Sequence, residues 1–369
     1  MLELNTPVRF YLGANTPTGF VGYLDDLYDC NDGWRAYIIK SGPGTGKNTL
    51  MRTVLQQMTE WGETAEAILC SSDPHSLDGV IIPRLKLCLV DGTAPHVMEP
   101  KYWGAVEQIV DLGSCMDGDM LHEQAPAIIA ATDACSAMHA RCRKFIGAAA
   151  SLLGDSARIV QEYTDADKIG RTAARIAGRE FGARRSEPGK ERRRFLSAVT
   201  PEGVLTFHET LQALCPRIYA LEDEYGAIAR LLMADLRVRA LEAGLDIFTC
   251  ACPLAPYDKL EHILIPSLGV AFTTSNSWHK ADFPVYRRIH AARFLDGEAL
   301  RAKRQILSFN RRAARELINE ATLIAGDAKA IHDRMEQFNI AAMDWERAKR
   351  ITQQVLARFA AVAAQEKQV

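Results

Sequence analysis

Residues 35–58, RAYIIKSGPGTGKNTLMRTVLQQM, decide how the rest of the chain is read. The stretch opens with a short run of β-branched and aromatic residues, Ala36-Tyr-Ile-Ile-Lys40, of the length and composition of a buried strand. Gly42, Gly44 and Gly46 follow closely, and Lys47 leads into the helical run LMRTVLQQM. Strand, Gly-rich loop, Lys and helix, in that order, are the context that a phosphate-cradling P-loop requires. The glycines let backbone N–H groups turn inward around an anion without Cβ clashes. The new helix offers free N–H groups and the positive end of its dipole. Lys47 adds a point charge for the β- and γ-phosphates. The expected contacts are therefore Gly42, Pro43, Gly44, Thr45, Gly46, Lys47, Asn48 and Thr49, and the expected ligands are ATP or GTP with Mg²⁺.

Two positions depart from the motif. Ser41 stands where its first Gly belongs, and Asn48 stands where a Ser or Thr hydroxyl would reach Mg²⁺. An Asn carbonyl is a neutral oxygen ligand for a hard cation. Thr49 has a hydroxyl, but one residue later on a helix points about 100° away. Asp91 ends the apolar run LCLVD, a place where an acid beside a P-loop holds the metal. The expected metal set is thus Asn48, Thr49 and Asp91, and the expected catalytic set is Lys47, Asp91 and Asp73. No Glu follows Asp91, so the water-activating carboxylate of many ATPases is missing. Asp73, in the loop Cys-Ser-Ser-Asp-Pro, reads either as a base or as a turn former. His75 and His96 read as polar loop residues near the same sheet edge.

The chain also repeats itself. Residues 12–19, LGANTPTG, match 196–203, LSAVTPEG; residues 77–96, LDGVIIPRLKLCLVDGTAPH, match 260–279, LEHILIPSLGVAFTTSNSWH. Gly154-Asp155 with Ile159 matches Gly326-Asp327 with Ile331. Order is kept and the offset stays close to constant, so the expected architecture is α/β, two tandem P-loop NTPase-like domains with parallel sheets. Each domain carries a long helical extension, because apolar residues recur at steps of three and four after Ile128 and again after Leu307. Their spacing suits two long helices packed on each other within the chain. The expected domains are 1–185 and 186–369, with the basic stretch 171–194 as an exposed linker. In the second copy, Arg217–Leu221 matches the strand before the loop, Lys47 aligns with Ala229, and Asp91 aligns with Thr274. Glu222, Asp223 and Glu224 at that loop would repel phosphate, so the second copy is expected to bind no nucleotide.

Bulk properties narrow the classes. The 369 residues carry a net charge of −2, with 48% hydrophobic and 24% charged residues. No global field favours nucleic acid or an anionic membrane. No secretory signal and no run of about 18 apolar residues is visible, so the expected location is cytoplasmic. The nine cysteines then read as reduced and mostly buried. Cys250 and Cys252 form a C-x-C pair with no second pair at zinc spacing, which leaves them as core residues.

Taken together, the phrases GANTPTGFVGYLDDL, IIKSGPGTGKNTLM and LVDGTAPHVMEPKYWGAVEQIVDLG resemble a family of bacterial tandem P-loop ATPase-like proteins over essentially the whole chain. Members are similar in carrying a Gly-Gly-Pro-Gly-Thr-Gly-Lys-Ser-Thr loop in the first half, and often an intact second loop. The resemblance implies ATP binding through Gly42, Gly44, Gly46 and Lys47. The leading expectation is a slow or regulated NTPase that uses only the first domain, the second being a surface for an unknown protein or small-molecule partner. The rival classes are a small-molecule kinase, with Asp73 as base, and a non-catalytic nucleotide-sensing scaffold.

Overall fold

A computed structural model of the chain describes residues 6–366. In chain order the first elements are β1 (Arg9–Phe10), β2 (Gly13–Thr16), β3 (Gly19–Gly22), β4 (Arg35–Lys40), α1 (Lys47–Glu60), β5 (Glu66–Leu69), β6 (Leu77–Ile82), β7 (Leu87–Asp91) and β8 (Glu107–Asp111). The helices α2 (Gly118–Glu123), α3 (Ala125–Gln161) and α4 (Ala166–Glu180) follow. Then come β9 (Glu191–Arg194), β10 (Ser197–Thr200), β11 (Gly203–Thr206), α5 (His208–Leu214), β12 (Arg217–Glu222) and α6 (Ala227–Glu242). The chain closes with β13 (Ile247–Cys252), β14 (Ala255–Ile265), β15 (Val270–Ser275), β16 (Arg287–His290), α7 (Gly297–Leu300), α8 (Arg304–Ala341) and α9 (Trp345–Glu366).

Two six-stranded sheets carry the same topology. The first runs β1-β5-β6-β7-β4-β8 and the second β9-β13-β14-β15-β12-β16. Neither is fully parallel, which corrects the expectation. β6 lies antiparallel to both β5 and β7, and β14 antiparallel to both β13 and β15. Chain length forces this. Only residues 70–76 join β5 to β6 and only 83–86 join β6 to β7, and a parallel crossover needs about a dozen residues or more. The pairs β1–β5, β7–β4 and β4–β8 remain parallel, as do their counterparts. Even the turn after β6 is duplicated: Lys86 takes φ 51° where Gly269 takes φ 62°.

The compact units are interleaved relative to halves cut at 185/186. One unit comprises the described residues up to Gly13, Gly22–Arg141 and those from Leu323 onward; the other comprises Ala14–Val21 and Cys142–Thr322. In the first unit, Tyr37, Ile38 and Ile39 of β4 are buried, and α1 adds buried Leu50, Met51, Val54, Leu55 and Met58. The C-terminal helix α9 belongs to this unit, and its fully buried Phe359 lies 5.2 Å, ring to ring, from Tyr37. The second unit takes α4, whose Ile169, Ala173 and Ile176 join one apolar cluster with Ile228, Leu232 and Leu236 of α6 and Tyr219 of β12. Each unit is thus completed by a helix that follows the other copy in sequence.

The basic stretch 171–194 is therefore no linker. Residues up to Glu180 are the amphipathic end of α4, with the arginines on its outer face. Glu191–Arg194 form β9, paired in parallel with β13, and Arg194 is buried. A basic sequence with one apolar stripe has the composition of a linker and the packing of a core helix. The long helices do pair within each unit. Cys135 Sγ approaches Ala328 O at 3.6 Å in the first, and in the second Cys142 Sγ approaches Ala321 O at 3.3 Å while Asn310 Nδ2 donates to Asp155 Oδ2 at 2.9 Å.

Candidate functional site

Strand β4, flanked by β7 and by the edge strand β8, delivers the chain into the Gly-rich loop. Gly44 and Gly46 hold φ of 71° and 88°, a conformation that L side chains rarely adopt. At Gly44 space forbids a side chain as well, because a Cβ there would meet the Glu336 backbone oxygen at 2.8 Å. Gly46 caps α1, and the turn leaves its amides open. Among the described residues, the N–H groups of Gly42 and of Gly44 through Thr49 donate no hydrogen bond. This is a row of unpaired donors at a helix start, where the dipole is positive. Lys47 Nζ folds back over the loop, donating to Gly42 O at 2.9 Å, Ser41 O at 3.3 Å and Thr93 Oγ1 at 3.2 Å.

Asp91 ends β7 beside it, buried, with Oδ2 3.2 Å from Lys47 Nζ. Its Oδ1 accepts the Thr93 N–H at 3.0 Å and also the Thr93 hydroxyl. The structure thus brings Lys47 and Asp91 together as expected and adds Thr93. Asn48 is used differently from the expectation. Its Oδ1 accepts from Leu77 N and from Arg52 Nε, each at 3.2 Å, which pins the start of β6 to α1. Thr49 is exposed, and its carbonyl accepts the Thr53 hydroxyl. Asp73 acts as a turn former: Oδ1 accepts His75 N at 3.2 Å, and Oδ2 lies 3.6 Å from Lys329 Nζ.

Several residues here carry no motif. Asn339 Nδ2 donates to Pro43 O at 2.9 Å, Glu336 lies against Gly44, and Trp345 lies against Gly46. They come from residues that the sequence assigned to the other copy, so spacing could not find them. His96 is a correction. It is buried, and its Nε2 lies 3.2 Å from Asp78 Oδ2. Burial pushes the Asp78 carboxyl above its ordinary range, and the neighbouring His96 pulls it back. His75 is exposed as expected.

The second unit fills the equivalent place with its own groups. Four residues, 223–226, link β12 to α6, against six, 41–46, between β4 and α1. Both loops end on a left-handed Gly, Gly226 and Gly46. Lys47 is therefore matched by Ala227, not by Ala229, and the loop is two residues too short to wrap a phosphate. Asp223 is buried, and its carboxylate accepts Gly226 N at 3.0 Å and Ala229 N at 2.8 Å. The helix start is thus satisfied by an internal anion. A cavity of about 60 Å³, lined by Arg230, Lys259, Glu261 and His279 among others, lies in this unit. That is far below the hundreds of Å³ of a ligand pocket.

No family model, no curated protein and no solved structure matches the chain.

Proposed function

We propose that the first unit binds one nucleoside triphosphate, ATP or GTP, at residues 42–49, and hydrolyses it slowly or under control. The chain would then be a tandem P-loop protein whose second copy binds no nucleotide. One contrast carries this reading. The first unit leaves a row of loop and helix-start amides without partners, while the second spends the corresponding amides on Asp223. Unpaired N–H groups converging on a left-handed Gly turn suit a polyphosphate. Lys47, which here donates to its own loop carbonyls, would turn to the β- and γ-phosphates.

Asp91 is the buried acid at the strand end that would hold Mg²⁺, directly or through water. Bound there, Mg²⁺ would neutralise charge developing on the transferring phosphoryl group. Asn48 contributes little to the metal in this reading, because its carbonyl oxygen already takes two hydrogen bonds. The kinase reading gains no support, since Asp73 is tied to His75 and faces Lys329. The test is phosphate release from ATP. Slow, Mg²⁺-dependent release that disappears in both Lys47→Ala and Asp91→Asn is expected. Release unchanged in both variants would overturn the assignment.

A further inference from the structure

A second cluster sits beside the Gly-rich loop and has no part in phosphate binding. Cys70 follows β5, Asp78 lies on β6, and His96 follows β7. One ligand atom from each, Sγ, a carboxylate oxygen and an imidazole nitrogen, lies within 4.8 Å of the others. A bound divalent ion needs that spacing. The donor set of thiol, imidazole and carboxylate is that of Zn²⁺, not of Mg²⁺ or Ca²⁺. Asp78 and His96 are both buried. Burial, and after it the nearby Asp78 carboxylate, push the Cys70 thiol well above its ordinary range, and the backbone N–H groups of Ser72 and Asp73 pull it part of the way back.

The second unit supplies an internal comparison. Strand register matches Ile68 opposite Gly79 with Cys250 opposite His262, and Gly79 opposite Val90 with His262 opposite Thr273. Cys252, Glu261 and His279 therefore occupy the places of Cys70, Asp78 and His96. There the carboxylate is neutralised by a buried ammonium: Lys259 Nζ lies 3.0 Å and His279 Nε2 3.1 Å from Glu261 Oε1. Burial alone would raise the Glu261 carboxyl; the charges of His279 and Lys259 hold it well below its usual range. The residue matching Lys259 in the first unit is Ser76, which carries no charge. The first unit keeps the thiol, the carboxylate and the imidazole; among the described residues no ammonium pairs with Asp78, and the charge of Lys47 reaches it only from beside Asp91.

We propose that Cys70, Asp78 and His96 bind a divalent metal of zinc type, standing where the Lys259 ammonium stands in the second unit. Binding forms a metal–sulfur bond and releases the Cys70 thiol proton to solvent. Three protein ligands leave a fourth position open to water or to another ligand. The proposal stands independently of nucleotide binding, and its test contains no nucleotide.

Chelator-treated full-length protein is titrated with Co²⁺ and followed by absorption. About one equivalent of Co²⁺ should bind with tetrahedral d–d bands and a thiolate-to-cobalt charge-transfer band, both removed by added Zn²⁺. The charge-transfer band should vanish in Cys70→Ser and persist in Cys252→Ser. His96→Gln and Asp78→Asn should each weaken Co²⁺ binding at least ~10-fold. Should Cys70→Ser fail to fold, the His96→Gln titration decides alone. Absence of a thiolate band in the wild type, its survival in Cys70→Ser, or unchanged affinity in His96→Gln would overturn the proposal.

Discussion

At the scale of single residues, the Gly-rich loop shows both what a motif discloses and what it hides. Gly44, Gly46, Lys47 and Asp91 stand where the pattern of strand, loop and helix placed them, because local backbone demands dictate those residue types. In the proposed reading, ground-state affinity for a phosphate would rest on the loop amides and on Lys47. Lys47→Ala should therefore weaken nucleotide binding by ~1.5–3 kcal/mol, the scale of a charge-assisted hydrogen bond, read from a fluorescent ATP analogue. Asn48 was expected to face a metal, yet its oxygen holds Leu77 N–H and Arg52. Leu77 is buried, so a shorter side chain strands its amide. Asn48→Ser should cost ~1–3 kcal/mol of stability, measured by urea denaturation. Unchanged stability would mean that the Asn48 contacts contribute nothing. His96 was misread because a His in a Pro-containing loop looks solvated. Its match to His279 in the repeat, together with Asp78 matching Glu261, was the available signal.

At the scale of elements, the repeat was legible and the packing was not. The duplication of the sheet and the pairing of the long helices follow from segments that align within the chain, whereas the strand order and the antiparallel β6 are not legible in them. The assignment of α4 to one unit and α9 to the other depends on which apolar faces meet, and sequence spacing is silent on that. Composition also misled, since ten residues of an amphipathic, arginine-rich helix read as a linker. Ile176 of α4 is 4% exposed and Phe359 of α9 is fully buried. Ile176→Ala should lower stability by ~2–4 kcal/mol and Phe359→Ala by ~3–5 kcal/mol, again by denaturant melts. An exposed linker would tolerate Ile176→Ala with no measurable loss, and that result would contradict the packing of α4.

At the scale of the whole molecule, one topology has been kept twice with opposite electrostatic solutions. The first unit leaves its loop amides without partners and pairs Asp78 with His96; the second answers the same positions with Asp223 and Lys259. Burial of an imidazole gives the second unit a source of acid sensitivity. His208 is held down from 6.5 to about 4, first by burial and then by the charge of His279. A lowered imidazole pKa means that the unfolded chain binds more protons between those values. Stability from this group is therefore full above about pH 6.5 and falls as pH drops toward about 4, by on the order of 2 kcal/mol after allowing for partial exposure. His208→Gln should flatten that slope in pH-dependent thermal melts, and an unchanged slope would exclude His208 as its source. The central proposal, one nucleotide per chain, rests on this divergence of the two units. Calorimetric titration of the intact protein with ATP, and in parallel with GTP, in Mg²⁺ should give about one nucleotide per chain, bound more weakly in Lys47→Ala and unchanged in Arg230→Ala. Two equivalent sites, or binding that survives Lys47→Ala at full strength, would contradict it.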